Sequence, residues 1–450
     1  MDTPAHSTQI GSLEEKIALL EEAYLYAYPL VLLDVIKNRT TNVVSPDAEH
    51  APVNQLFHAR TLATPDMVNL TRPNVDTVYS QAYLNLVDEP ILLHKPATDR
   101  YCSVQVFDGY SNTPAILGTG GRGGNEAATY AFVGPSWSGD LPDDVIAVPV
   151  STNLVWLLLR TICLGADDLP GVYAVQDGLH MYPLSAHVLD AGIGYRSPAG
   201  THDPAFDYVP AEFMQALSVQ EFFTRFNRLA LDNPGAPADV PALARFETVG
   251  VGAGLDFDIE ALGEGAADAA AYLPSLIDRA FSSTHANGII SNGWTFMDDH
   301  VGAFGTDYAY RAVVACGGFA NPVSMAVYPS MVTDVAGHPL RGDRAYRLHF
   351  EPNATPPHAR DGWWSLTAYT EEGHLIPNEL QRYNIAEADD LPFNEDGSLD
   401  VYIQAARPNA GHERLWLPLC AGAFSLTMRI YLPDERVLSF DWKMPPLEAI

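Results

Sequence analysis

The chain opens on a helical pattern. Leu13, Ile17, Leu20, Tyr24, Ala27 and Val31 recur at helical spacing. Ser12 and Glu15 precede them in the S-x-x-E spacing of a capping box, which satisfies two orphan N–H groups. Pro29 lacks a backbone donor and is expected to kink or end this helix nearby. Residues 30–36 are apolar on nearly all sides, which predicts burial. From about residue 43 to 183 the pattern changes to short strands and turns. Residues 101–107 and 153–159 read as β-type runs, although 153–159 also fits helical spacing. Asp108-Gly109, Gly134-Pro135 and 118–124 supply turns, and strands this short and this frequent predict a sandwich or barrel.

The middle is helical. Ser218 and Glu221 form a second capping box ahead of Phe222, Phe226 and Leu229, and Asn233-Pro234 stops that helix. Residues 240–249, 259–262 and 266–281 continue the helical pattern. The C-terminal part returns to strands at 346–350, 363–369 and 401–404. Phe424, Leu426, Met428 and Ile430 alternate with Ser425, Thr427, Arg429 and Tyr431, a period of two that predicts one buried face and one partly polar face. The expected fold is mainly β with a helical segment. It comprises a β-rich domain with a leading helix over 12–205, a helical connection over 206–300 and a sandwich over 301–450.

Length agrees with more than one domain: the 450 residues exceed what one core holds, which rarely grows past about 250–300 residues. Charge narrows the function classes. Lys and Arg total 25 against 56 Asp and Glu, a formal charge of −31. That argues against nucleic acid and anionic membrane surfaces, both of which are bound through cations. Cys102, Cys163, Cys316 and Cys420 form no C-x-x-C pair, which argues against a zinc or redox motif. No basic, apolar leader pattern and no run of membrane-spanning length is visible, so a cytoplasmic location is the expectation.

Several blocks resemble a bacterial and fungal family that joins domain of unknown function 1254 to domain of unknown function 1214. They read EAYLYAYPLVLLDV at 21–34, NQLFHAR at 54–60, RPNVDTVYS at 72–80, VQVFDGYSN at 105–112 and QDGLHMYPL at 176–184. The C-terminal half adds GTDYAYRAVVA at 305–315, ANPVSMAVYP at 320–329, WWSLTAY at 363–369, NELQRYNI at 378–385 and DGSLDVYIQ at 396–404. The resemblance implies an immunoglobulin-like β region plus helices, followed by a jelly-roll sandwich. It implies no activity.

The densest polar block is RPNVDTVYS. Asp76 offers an acid or base, while Arg72 and Asn74 can hold an oxygen or a developing charge. Extended backbone would put Asn74 and Asp76 on one face. The alternative is structural: Arg72 pairs with Asp76 to fix a bend, and Asn74 caps a turn. Asp108 ends a strand beside Tyr110 and reads as a second carboxylate or as an ordinary Asp-Gly turn. If Asp76 and Asp108 share a cavity, different surroundings can drive their pKa values apart, one acid and one base. His58 and Asn54 lie just upstream, and Tyr79 and Trp156 are candidate pocket walls. Among C-terminal residues, Tyr308, Arg311, Tyr328, Asp334, Trp363, Trp364, Arg382 and Tyr383 suit a sugar or aromatic ring, or packing between domains. The histidines show no metal-binding spacing; His180, His300, His349 and the run 298–300 read as lone or solvated groups. The glycines at 118–123 match G-x-G-x-x-G but precede a strand, which excludes a dinucleotide site.

Two functions remain open. The first is a cofactor-independent hydrolase or lyase for a small polar, glycosidic or phenolic substrate, with Asp76 and Asp108 as acid and base and His58 beside them. Arg72, Asn74, Tyr79, Tyr110, Asn54, Trp156 and Trp363 would bind the substrate. The second is a non-catalytic ligand-binding or assembly module on a jelly roll, compatible with a homo-oligomer.

Overall fold

A computed structural model describes residues 11–68, 71–286, 288–297, 299–334 and 336–450, with side chains described outside 282–286. The first helix, Leu13–Thr40, begins at Ser12 with both halves of the capping box formed. It does not end at Pro29. Tyr24, Tyr26, Leu30, Val31 and Leu33 are buried, and that tertiary packing outweighs the one backbone bond a proline removes. The helices Val219–Ala230, Val240–Phe246, Ala266–Ala270 and Tyr308–Cys316 share one apolar core with it. Helix and strand therefore contribute about equally. The chain is a mixed helix-and-strand protein rather than a mainly β one, because this long first helix and the middle segment form a full layer of their own.

The N-terminal β unit has two facing sheets. One is six-stranded, in the order Phe57–His58, Thr77–Asn85, Leu154–Ile162, Cys102–Asp108, Ala115–Gly118, Arg122–Gly123. The other is four-stranded, in the order His180–Pro183, Ile91–Lys95, Ala128–Val133, Ile146–Pro149. Val104, Val106, Leu157 and Leu159 from the first meet Leu93, Tyr130 and Phe132 from the second. The ambiguous run around Trp156 is strand Leu154–Ile162, the centre of its sheet. Pairing is antiparallel except between short segments such as Ala115–Gly118 and Arg122–Gly123.

The C-terminal β unit also has two sheets. Strands His358–Thr370 and Phe424–Pro433 are the long members of a seven-stranded sheet, and a four-stranded sheet runs Trp416–Pro418, Leu399–Gln404, Tyr346–Phe350, Leu447–Ala449. Trp364, Leu366, Leu426, Met428 and Ile430 face Leu348, Val401 and Ile403. Phe424–Pro433 keeps its period of two, but its polar face is not solvated: Ser425, Thr427, Arg429 and Tyr431 are as buried as their apolar neighbours. With Trp363, Ser365, Thr367 and Tyr369 of the paired strand they form a second interior surface, against the segment that carries Arg72 to Tyr79.

Trp364 is 1% exposed and packs on Phe350. Trp364→Ala should cost about 3–5 kcal/mol. At roughly 2–4 °C per kcal/mol, the melting temperature followed by circular dichroism should fall by about 10 °C.

Candidate functional site

The site is built where the strand Thr77–Asn85 begins. Residues 71–76 lie outside the strand, in bends and irregular backbone, so Asn74 and Asp76 do not share a strand face; instead the Asn74 Oδ1 accepts the Asp76 N–H at 2.6 Å. Arg72 takes a left-handed φ of 50°, and its N–H donates to the Gly373 carbonyl at 2.7 Å. This bend pushes Asp76 into the C-terminal sheet. Ser365 Oγ donates to one carboxylate oxygen at 2.5 Å and Asn384 Nδ2 to the other at 2.6 Å.

The expected Arg72–Asp76 pair does not form. Arg72 donates to Thr427 Oγ1 at 3.4 Å, and the cation whose field reaches Asp76 is Arg429. Arg429 is fully buried. It donates to Thr367 Oγ1 at 3.0 Å, to the Tyr369 hydroxyl at 2.5 Å and to the Arg72 carbonyl at 3.0 Å. Asn74 donates to the Tyr431 hydroxyl, and Tyr431 stacks on Trp363 with ring centres 4.0 Å apart. Burial holds the Asp76 carboxyl above the usual carboxylate range, against the opposing pull of Arg429 and its two hydrogen-bond donors. Asp389 adds a like charge in the same upward direction.

Beside Asp76 lies a cavity of about 350 Å³ between the two β units. Leu62, Ile162 and Cys163 line it from the N-terminal side; Trp363, Tyr383, Asn384 and Asp389 line it from the C-terminal side. Burial pushes the Cys163 thiol up to about 11, which leaves it protonated and a poor nucleophile.

Asp108 is elsewhere. It sits opposite Val155 on the central strand, whereas the Asp76 carbonyl accepts the N–H of Cys163. From residue 155 to 163, at about 3.3 Å per residue, the separation is roughly 26 Å. The proposed acid/base pair is therefore corrected: the carboxylates occupy opposite ends of the sheet. Asp108 closes a turn, accepting from the N–H groups of Tyr110 and Asn112 at 2.9 Å each and from Ser151 Oγ at 2.8 Å.

Other candidates also separate from the cavity. Asn54 exchanges two hydrogen bonds with Asn85 at the far end of the strand that Asp76 precedes. Tyr110 points into the helical layer, donating to the Asn233 carbonyl at 3.0 Å, and Arg311 lies over it and over Tyr26 and Tyr308. His58 bonds Ser80 through Nδ1 at 2.7 Å on an edge strand, away from the residues that line the cavity. Trp156 stacks between Tyr83 and Phe107 and donates to Gln81 at 3.1 Å. Arg382 is tied to the carbonyls of Glu413 and Trp416. Residue 298 lies outside the described residues. Among the described residues no three His, Cys, Asp or Glu side chains group closely enough to hold a metal, and no helix is long and apolar enough to cross a membrane. Sequence reasoning missed Ser365, Asn384, Asp389 and Arg429. Arg429 alone carried a signal, as the one charge in an alternating strand.

Two outcomes test these environments. Burial first, then Arg60, lowers the His58 pKa to about 4. An NMR titration of its imidazole should show a midpoint near 4 rather than the ordinary value of about 6.5. For Asp76, a folded value above the unfolded one means its contribution is fully present below the unfolded pKa of about 3.9 and is lost as pH rises through the folded value. Melting wild type and Asp76→Asn at about pH 5 and pH 8 should therefore show the difference moving in the variant's favour at the higher pH. A shift the other way would mean the carboxylate is favoured by the fold.

The crystal structure of the VPA0106 protein from Vibrio parahaemolyticus shares this fold: it aligns over 97% of this chain and 100% of its own, at 21% identity and a TM-score of 0.71. An uncharacterised protein from Burkholderia cenocepacia aligns over 97% of this chain and 94% of its own, at 11% identity and a TM-score of 0.44, too distant to inform the fold. No curated protein matches. The family model described as Protein of unknown function (DUF1254) matches residues 53–183, which hold Asp76, and that described as Protein of unknown function (DUF1214) matches residues 325–435, which hold Ser365, Asn384 and Arg429. The chain belongs to the family that joins these two domains in this order.

Proposed function

We propose that the cavity between the two β units is the active site of a cofactor-independent hydrolase or lyase, that its substrate is a small polar molecule of glycosidic or phenolic type, and that Asp76 is its acid. The observation that carries the reading is a fully buried carboxyl, held above its ordinary range, at the wall of a cavity of about 350 Å³. A general acid needs its proton at working pH, and desolvation favours the protonated form. Asp389, exposed and lining the same cavity, takes the place of Asp108 as the second carboxylate. Trp363 and Tyr383 supply the aromatic walls. The paired sheets of each β unit also support reading the N-terminal unit as immunoglobulin-like and the C-terminal unit as a jelly roll.

One observation favours a second reading, a non-catalytic binding or assembly module. Both carboxylate oxygens of Asp76 are occupied by residues of the C-terminal unit, as in a joint. Nitrophenyl glycosides and nitrophenyl esters, followed by nitrophenolate release, separate the two. Under the enzymatic reading at least one class is turned over, and Asp76→Asn lowers kcat by about 10²–10⁴-fold. Release that survives Asp76→Asn removes Asp76 as the acid. No release by the wild type, together with a melting temperature that collapses in the variant, supports the joint.

A further inference from the structure

Arg160 projects from the central strand Leu154–Ile162 into the seam between the β units, directly across from Tyr79 of the neighbouring strand. Its guanidinium carbon lies 5.9 Å from the Tyr79 ring centre. It is 5% exposed. Its one side-chain acceptor among the described residues is neutral, Gln105 Oε1 at 2.8 Å. No Asp or Glu pairs with it among the described residues, and its ionisable neighbours are the phenols of Tyr328, Tyr79, Tyr431 and Tyr101.

The other deeply buried arginines differ. Asp76 acts on Arg429, and Arg311 acts on Asp108 and lies over Tyr308, whose hydroxyl bonds Asp239 at 3.1 Å. An interior cation without a counter-ion is a costly arrangement, the more so in a chain where acids outnumber bases 56 to 25. The surroundings are also prepared. Gln105 is fixed by bonds to Thr113 Oγ1 at 3.0 Å and to the Ala320 carbonyl at 2.8 Å. The Tyr328 hydroxyl accepts from Asn321 Nδ2 at 2.5 Å, which leaves its own proton to donate. Tyr79, Gln81 and Tyr328 are only half-buried, so part of the surface of each stays open. The Trp363 Nε1–H, buried nearby against Tyr431, has no acceptor among the described residues.

We infer that Arg160, with the phenols of Tyr79 and Tyr328, forms a binding site for a small organic monocarboxylate. One guanidinium matches one negative charge, and a carboxylate accepts from its planar fork in a bidentate fashion. The walls of Tyr79, Trp156, Phe319 and Tyr328 suit an aromatic or other apolar body behind the carboxylate. This site does not depend on Asp76 being an acid.

The test uses the full chain, benzoate as the probe and benzamide as its neutral isostere, followed by isothermal titration and thermal melting. Wild type should bind benzoate saturably and at least 10-fold more tightly than benzamide, with a rise in melting temperature. Arg160→Met should lose that preference and, without benzoate, melt no lower than wild type, because an uncompensated charge has been removed. Tyr328→Phe should weaken benzoate several-fold and leave benzamide unchanged. Equal binding of the two probes by wild type, or a benzoate response that persists in Arg160→Met, overturns the inference. So does an Arg160→Met variant that melts far lower with no benzoate response in wild type, since Arg160 would then be a strut held by Gln105. Because neither probe is a glycoside or a phenyl ester, failure here leaves the nitrophenolate assay free to succeed, and the converse also holds.

Discussion

The guanidinium of Arg429 has to be satisfied out of water, and much of the joint follows from that requirement. A strand buried on both faces can carry an arginine only if acceptors are brought to it. Thr367 and Tyr369 come from the paired strand, but the Arg72 carbonyl comes from the other β unit, more than three hundred residues away in sequence. That carbonyl reaches Arg429 because the chain bends at Arg72, with a positive φ that a side chain rarely adopts. The bend delivers Asp76 to Ser365 and Asn384 and sets Tyr369 to donate to the Pro73 carbonyl at 2.8 Å. One buried cation thus fixes the register between the two β units and, as a consequence, the wall of the cavity.

This accounts for what could be read from the sequence. Local signals carried through: the Ser12 and Ser218 capping boxes both form, and strand Tyr346–Phe350 has the bounds its residues predict. The RPNVDTVYS block stood out because so many polar groups crowd into nine residues, and it does meet the cavity. Its partners were not legible. Ser365 and Asn384 are ordinary polar residues on strands, and only the packing of one sheet against a distant segment makes them ligands of Asp76. Pairing Asp76 with Asp108 failed for a related reason: composition gives two carboxylates near strand ends, but not which end. Strict alternation in Phe424–Pro433 predicts one buried and one partly polar face, but a period of two records only that the faces differ, and a second protein surface can be polar as readily as water.

Three arginines, Arg160, Arg311 and Arg429, lie inside a chain whose surface is dominated by acids, and each is wrapped in tyrosine rings. Phenols suit this role. They offer a π face to a cation and a hydroxyl that both accepts and donates, without the desolvation cost of another full charge. Arg311 uses Tyr26, Tyr110 and Tyr308 to hold the helical layer to the N-terminal sheet. Arg429 uses Tyr369 to hold the two β units together. In both, carboxylates complete the balance: Asp239 and Asp108 around the first, Asp76 beside the second.

Arg160 lies within the same seam but lacks that completion, and this has a thermodynamic corollary. Whatever occupies the seam touches both β units at once: Tyr79 and Arg160 from one, Tyr328 and Tyr431 from the other. A molecule that binds only when the two units are docked stabilises docking by its own binding free energy. A buried charge with no counter-ion among the described residues weakens docking by the cost of burying it. Occupancy and association of the two β units are therefore linked, each strengthening the other by the same factor. The polar content of this interface then has a physical rationale that an apolar interface would lack: it holds the two units together while keeping that association responsive to what lies between them.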